Sequence, residues 1–149
     1  MSLTKDEIER YARHIMLKEV GGPGQQRLKR ATVALVGVGG LGAPAALYLA
    51  AAGVGRLILI DDDAVALSNL QRQVLFTTQG LGAPKTSEAA AALAALNPHV
   101  IVEQRQARLT AANAEALLSG AGLVLDGSDS FATRFAVNAA CHAMGLPLV

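Results

Sequence analysis

Three short polar clusters in this chain have the residue types and spacing needed to handle phosphate. The first is Gly37-Val38-Gly39-Gly40-Leu41-Gly42, directly after an apolar run. Gly37, Gly39 and Gly42 fit a G-x-G-x-x-G pattern, in which the first glycine allows a tight turn, the second lets phosphate approach the backbone, and the third lets helix and sheet pack closely. A helix starting there offers free N–H groups and a partial positive charge to an anion. The second cluster is Asp61-Asp62-Asp63 followed by Ser68-Asn69-Leu70-Gln71-Arg72-Gln73. Asp61 falls 24 residues after Gly37, the place for an acid that bonds a ribose hydroxyl; Asp63 is a further candidate there. A nicotinamide enzyme has no use for Asn, Gln, Arg and Gln packed behind that acid, whereas a triphosphate does. Arg72 can clamp it with a planar fork, and Asn69 can bond a phosphate oxygen; Ser68 and Gln71 lie in the same segment. The third cluster is Asp126-Gly127-Ser128-Asp129-Ser130. Asp129 is the expected Mg²⁺ ligand on the phosphate, with Asp126 the alternative. Lys85 opens a helix, where a cation opposes the helix dipole, so a bound anion is expected to compensate it.

The elements that must position these residues alternate along the chain. Thr4-Lys5-Asp6-Glu7 is a capping box for a first helix carrying Ile8, Ala12, Ile15 and Met16 at helical spacing. Gly21-Gly22-Pro23-Gly24 reads as its break and Gln25 to Lys29 as a short polar linker or helix. Strands are expected at 32–36, 57–60, 100–103 and 123–125, with a fifth near Leu148; helices are expected at 41–52, 84–96, 110–118 and 131–144. Strands alternating with helices give parallel βαβ units, and apolar strands mean that both sheet faces are covered. The fold class is therefore α/β: a Rossmann-like doubly wound, mostly parallel sheet of order 3-2-1-4-5 with helices on both faces, preceded by an N-terminal helix. In that order strands 1 and 4 are neighbours, so Asp129 should face the Gly37–Gly42 loop. Residues 1–31 form an N-terminal helical segment and 32–149 the nucleotide domain.

Bulk properties exclude several other classes. The 149 residues are 52% hydrophobic and 17% charged, enough for one globular core. A formal charge of +1 argues against nucleic-acid binding by bulk charge. No apolar stretch is long enough for a bilayer span. With one cysteine, Cys141, no internal disulfide or thiolate metal cluster can form, which suits a reducing cytoplasm. His14, His99 and His142 show no metal-ligand spacing. Leu146-Pro147-Leu148-Val149 reads as the start of a buried strand, so a longer chain is expected.

These residues resemble the ThiF/MoeB/HesA family, which includes the catalytic domains of ubiquitin-activating enzymes. The resemblance runs from Arg10-Tyr11-Ala12-Arg13-His14-Ile15 through the three clusters and Pro84-Lys85 to Pro147-Leu148-Val149, and Ser-Asn-Leu-Gln-Arg-Gln after Asp-x-Asp is its most specific part. It implies ATP-dependent adenylation of the C-terminal glycine of a small ubiquitin-like sulfur-carrier protein. Leu70 and Gln71 look like that branch rather than the one modifying a tRNA base. Gly39, Gly40 and Gly42 would line the nucleotide, Asp61 would bind ribose, Asn69, Arg72 and Lys85 would bind phosphates, and Asp129 would bind Mg²⁺. Arg13 would reach the partner's ATP site in a homodimer. Ser130 departs from the family's usual Asn. The family's Zn²⁺-binding CxxC pairs and downstream cysteine would lie beyond Val149. The rival readings are a tRNA-base adenylating enzyme, an NAD-binding module and a non-catalytic interaction domain.

Overall fold

The computed structural model describes residues 2–149. Its centre is a parallel sheet of β1 (Thr32–Val36), β2 (Arg56–Ile60), β3 (Ile101–Arg105) and β4 (Leu123–Asp126), in the order β3-β2-β1-β4. Side chains alternate across a strand, so each central strand feeds two cores. Val33, Leu35, Leu57 and Leu59 face one way, under α4 (Gly42–Ala51) and α5 (Lys85–Leu96). Ala34, Val36, Ile58 and Ile60 face the other, under α6 (Ala114–Leu118) and α7 (Phe131–Met144). Both faces are covered, as a doubly wound sheet requires. β3 lies at the edge and is not uniformly apolar: Glu103, Gln104 and Arg105 belong to it, and Ile101 is exposed.

The expected fifth strand is present as a short pairing. Val124 N–H donates to Pro147 O at 2.9 Å, Val149 N–H to Val124 O at 3.0 Å and Asp126 N–H to Val149 O at 2.9 Å, so the last residues run parallel beside β4. The helix expected at 110–118 is shorter. Asn113 side-chain oxygen accepts from Thr110 N–H at 2.8 Å, which holds a turn before α6.

The N-terminal segment departs most from expectation. Its capping box is formed: Glu7 N–H donates to Thr4 Oγ1 at 3.2 Å, and Thr4 N–H to Glu7 Oε2 at 2.7 Å. The chain then divides into α1 (Lys5–Arg10) and α2 (Ala12–Ile15) at Tyr11. Gly21-Gly22-Pro23-Gly24 does not break a helix; it begins α3 (Gly21–Arg30). Pro23 falls in the first turn, where its missing N–H would have had no intrahelical acceptor.

This segment packs on its own domain through polar side chains. Tyr11 is 3% exposed, and its hydroxyl accepts from Asn97 Nδ2 at 2.8 Å. Gln25 Nε2 donates to Ala52 O at 2.7 Å. The apolar stripe is split: Ile8 and Met16 remain exposed, whereas Ala12 and Ile15 are half-buried.

Candidate functional site

The sequence runs outward through β1, β2 and β3, then returns to place β4 on the other side of β1. Between the carboxyl ends of β1 and β4 the two following loops diverge, and a crevice opens there. Here it is a cleft of about 480 Å³. Its walls come from the loop after β1, the segment after β2, the loop after β3 and the loop leading into α7.

Two of the glycines are required by close approach. Gly37 has φ +84°, and a Cβ there would lie 3.0 Å from the Gly127 carbonyl group. A Cβ on Gly42 would collide with the Gly37 carbonyl group, a contact with backbone that cannot swing aside. The loop thus folds back tightly before α4 and lies against the loop after β4. Gly39 and Gly40 line the cleft with room to spare, their nearest neighbours being the side chains of Gln73 and Arg72.

Asp61 ties this loop to the next. Its Oδ2 accepts from Val38 N–H at 2.7 Å and its Oδ1 from Asp63 N–H at 2.8 Å. Burial pushes its carboxyl above the usual carboxylate range, against the two amide donors and the nearby Lys85 charge. Each oxygen has a further lone pair. Asp61 therefore both fixes the glycine loop and offers an acceptor at the cleft.

Lys85 is 5% exposed, and its Nζ donates to Asp63 Oδ2 at 2.9 Å; its own N–H donates to Asp63 O at 3.0 Å. The anion that compensates this lysine is thus a protein carboxylate, and Asp63 is the lysine's holder. Arg72 is exposed at the cleft wall and donates from Nη1 to Ser68 O at 3.1 Å, leaving most of its fork free.

The remaining residues of that segment are placed differently from expectation. Asn69 Oδ1 accepts from Ala66 N–H at 3.0 Å, closing a 3₁₀ turn over Leu67–Asn69. Ser68, Asn69 and Gln71 do not line the cleft. Gln73 does: it is 3% exposed, and its Oε1 is buried without a hydrogen-bond partner among the described residues.

On the β4 side, Asp126 Oδ1 accepts from Ser128 N–H at 2.9 Å, an Asx turn that shapes the loop. Asp129 lines the cleft, is exposed, and makes neither hydrogen bond nor ion pair among the described residues. Ser130 caps α7 through its side chain. For a hard cation such as Mg²⁺, which takes oxygen ligands, the Asp129 carboxylate fits. The oxygens of Asp61, Asp62 and Asp63 also lie within 4.8 Å of one another. Those carboxylates, however, are held by backbone amides, Arg108 and Lys85 respectively.

Two cleft arginines went unnoticed in the sequence. Arg108 Nε donates to Asp62 Oδ2 at 3.0 Å, and Arg134 donates from Nε and Nη2 to Ser128 O at 3.1 and 2.9 Å. Neither belongs to a motif; only the topology brings the loop after β3 and the start of α7 to the same crevice. Arg13 is exposed on α2 and does not line the cleft of its own chain.

Comparison with known proteins agrees with this geometry. The ThiF family model matches residues 11–149. The chain is 52% identical to the sulfur carrier protein adenylyltransferase of Thermus thermophilus, covering 100% of this chain and 55% of that protein. It is 48% identical to the SAMP-activating enzyme E1 of Haloferax volcanii, with the same two coverages. Among solved structures, the E. coli tRNA N6-threonylcarbamoyladenosine dehydratase in complex with ATP superposes with a TM-score of 0.93 at 28% identity, covering 99% of this chain and 60% of that one. The chain thus spans about half the length of the curated relatives it matches.

Proposed function

We propose, since this chain belongs to the ThiF family, that it is the ATP-binding part of an adenylyltransferase that activates the C-terminal glycine of a small ubiquitin-like sulfur-carrier protein. The observation that carries the reading is the convergence of the Gly37–Gly42 loop, Asp61, Arg72, Lys85 and Asp129 on one cleft. The relatives named as sulfur-carrier and SAMP-activating enzymes support the choice of substrate. Phosphates would lie along the amides of the glycine loop and the start of α4. Asp61 would accept from ribose, Arg72 and Lys85 would neutralise phosphate oxygens, and Asp129 would hold Mg²⁺, which draws charge from the phosphate chain.

The reaction needs little from the protein beyond placement. The carrier's terminal carboxylate is ionised near neutral pH, so no general base is required. Its oxygen forms a bond to the α-phosphorus while the α–β phosphoanhydride breaks, and pyrophosphate leaves with that electron pair. The protein positions the two reactants and offsets the charge of the leaving group. Ser68 and Asn69 contribute by shaping the turn that presents Arg72, and Gln71 lies exposed in the same segment. The single reduced cysteine is consistent with work in a reducing cytoplasm.

Arg13 would act across a homodimer. It is exposed, and the apolar Ile8 and Met16 beside it are exposed too, as a partner-facing surface requires. In the complete enzyme, Arg13→Ala and Arg72→Ala homodimers would each be nearly inactive, and mixing them would restore part of the activity through heterodimers with one intact site. Heterodimers that recover nothing would remove Arg13 from the site.

The deciding experiment on nucleotide choice is calorimetry with ATP·Mg²⁺ and NAD. ATP·Mg²⁺ is expected to bind more tightly, because Arg72 and Lys85 serve a triphosphate. Tighter binding of NAD would overturn the assignment.

A further inference from the structure

Arg108 stands at the end of the cleft farthest from β4, in the loop after β3. Across the sheet order, on the reading above, the glycine loop after β1 and Asp129 in the loop after β4 lie on the phosphate side, Arg72 and Lys85 reach it from the segment after β2, and Asp61 at the end of β2 is the ribose acceptor. A nucleotide laid along that line brings its base to the loop after β3. That loop lines the cleft with Ala107, Arg108 and Leu109, the last only 3% exposed.

Arg108 is held at both ends. Its backbone O accepts from Asn113 Nδ2 at 3.0 Å, and Asn113 Oδ1 accepts from Thr110 N–H at 2.8 Å, which fixes the loop. Its guanidinium is held at Nε by Asp62 Oδ2 at 3.0 Å. Among the described residues its Nη groups make no hydrogen bond, and the side chain is mostly exposed at the cleft. The pair joins the segment after β2 to the loop after β3. As a surface ion pair, with side chains 69% and 40% exposed, it contributes little to stability. A tethered, largely exposed planar guanidinium is instead suited to stacking on an aromatic base.

We propose that Arg108, oriented by Asp62, seats the nucleobase of the bound nucleotide, and that the Asp62–Arg108 pair is a strap at the base end of the cleft. This rests on the ATP reading above. Arg108 is the residue in contact with ligand; Asp62 acts through it as a positioning residue.

The test compares ATP·Mg²⁺ with inorganic tripolyphosphate·Mg²⁺, which has no base, by calorimetry on this chain. Arg108→Ala should weaken ATP roughly three- to tenfold, the range for a partly exposed cation–π contact. Tripolyphosphate affinity should stay within about twofold. Arg108→Lys should recover little, since an ammonium has no flat face to stack. Asp62→Asn should weaken ATP in the same direction by less. Equal losses for both ligands in Arg108→Ala would make Arg108 a general electrostatic or folding residue and overturn the proposal. Unchanged ATP affinity would overturn it too. If the wild-type chain binds tripolyphosphate but shows no preference for ATP, the ATP reading itself fails.

Discussion

Replacing Gly42 with alanine sets two effects against each other, and the structure decides between them. Alanine is the better helix former by roughly 0.5–1 kcal/mol in a helix interior, and Gly42 is the first residue of α4. Its Cβ, however, would collide with the Gly37 carbonyl oxygen and lie 2.9 Å from the Gly37 carbonyl carbon. That neighbour is backbone. It is pinned by Gly37 N–H donating to Ile60 O at 2.8 Å, and by the Gly127 loop packed on its other side. Overpacking against such a rigid neighbour costs about 1–3 kcal/mol, at or above the top of the helix gain. Gly42 opens the helix and is not interior, so alanine there gains less than that, and a net loss of up to about 2.5 kcal/mol corresponds to a Tm lower by up to roughly 10 °C in a domain of this size. Moving Gly37 also moves Val38 N–H off Asp61, so ATP affinity should fall about tenfold, the worth of one charge-assisted hydrogen bond. Gly40→Ala is the control, because its Cβ would meet only the flexible Arg72 side chain, at 3.6 Å. Calorimetric Tm values and ATP titrations on both variants measure the contrast. A Gly42→Ala protein as stable as Gly40→Ala would refute the close-approach argument.

Arg72→Ala in the complete enzyme should lower adenylation by roughly 10³-fold, measured by pyrophosphate exchange, and Arg72→Lys should also be poor because a point charge does not replace a fork. Asp129→Asn should weaken the Mg²⁺ dependence of ATP binding in a Mg²⁺ titration and leave Tm unchanged, whereas Asp126→Ala, which removes the acceptor of the Ser128 turn, should lower Tm; the reverse pattern would exchange their roles. At Glu7, burial raises the carboxyl pKa, but the hydrogen bonds from Lys29 and Thr4 outweigh it and hold the group below 4.5. Its stabilisation is therefore full above that value and lost as pH falls through the lower folded value, so Glu7→Gln should cost about 1–3 kcal/mol at pH 7 and nothing measurable in strong acid, followed by urea unfolding across pH.

The parts of this fold that were legible in the sequence are those whose physics is local. β1, β2, α4, α5 and α7 announce themselves through apolar runs, helix formers and caps, and the glycine loop follows from strand, turn and helix in sequence. The start of α3 did not, because Gly-Gly-Pro-Gly is a breaker everywhere except in a first turn. The site was legible where a motif held it together. What escaped was set by long-range pairing: Lys85 is neutralised by Asp63 at 22 residues' separation, and Arg108 meets Asp62 at 46. An isolated arginine in an irregular loop carries no periodicity or spacing. Its place at the cleft becomes visible only once the sheet order has placed its loop.

The charge arrangement of the cleft explains why these pairings matter. Four cations line it, Arg72, Lys85, Arg108 and Arg134, against four carboxylates, Asp61, Asp62, Asp63 and Asp129. The sum is balanced across the cleft, and the formal +1 of the whole chain adds no general attraction for anions. Selectivity must then come from which charges are committed. Lys85 and Arg108 are each tied to an aspartate; Arg134 is tied to a neutral carbonyl, and Arg72 reaches only the Ser68 carbonyl. The two arginines on carbonyls keep their full charge, while Asp129, which pairs with no cation among the described residues, would repel a bare polyanion. A metal-bound triphosphate would turn that repulsion into a ligand bond, so on the ATP·Mg²⁺ reading proposed above this carboxylate would favour the metal-bound nucleotide over the free one.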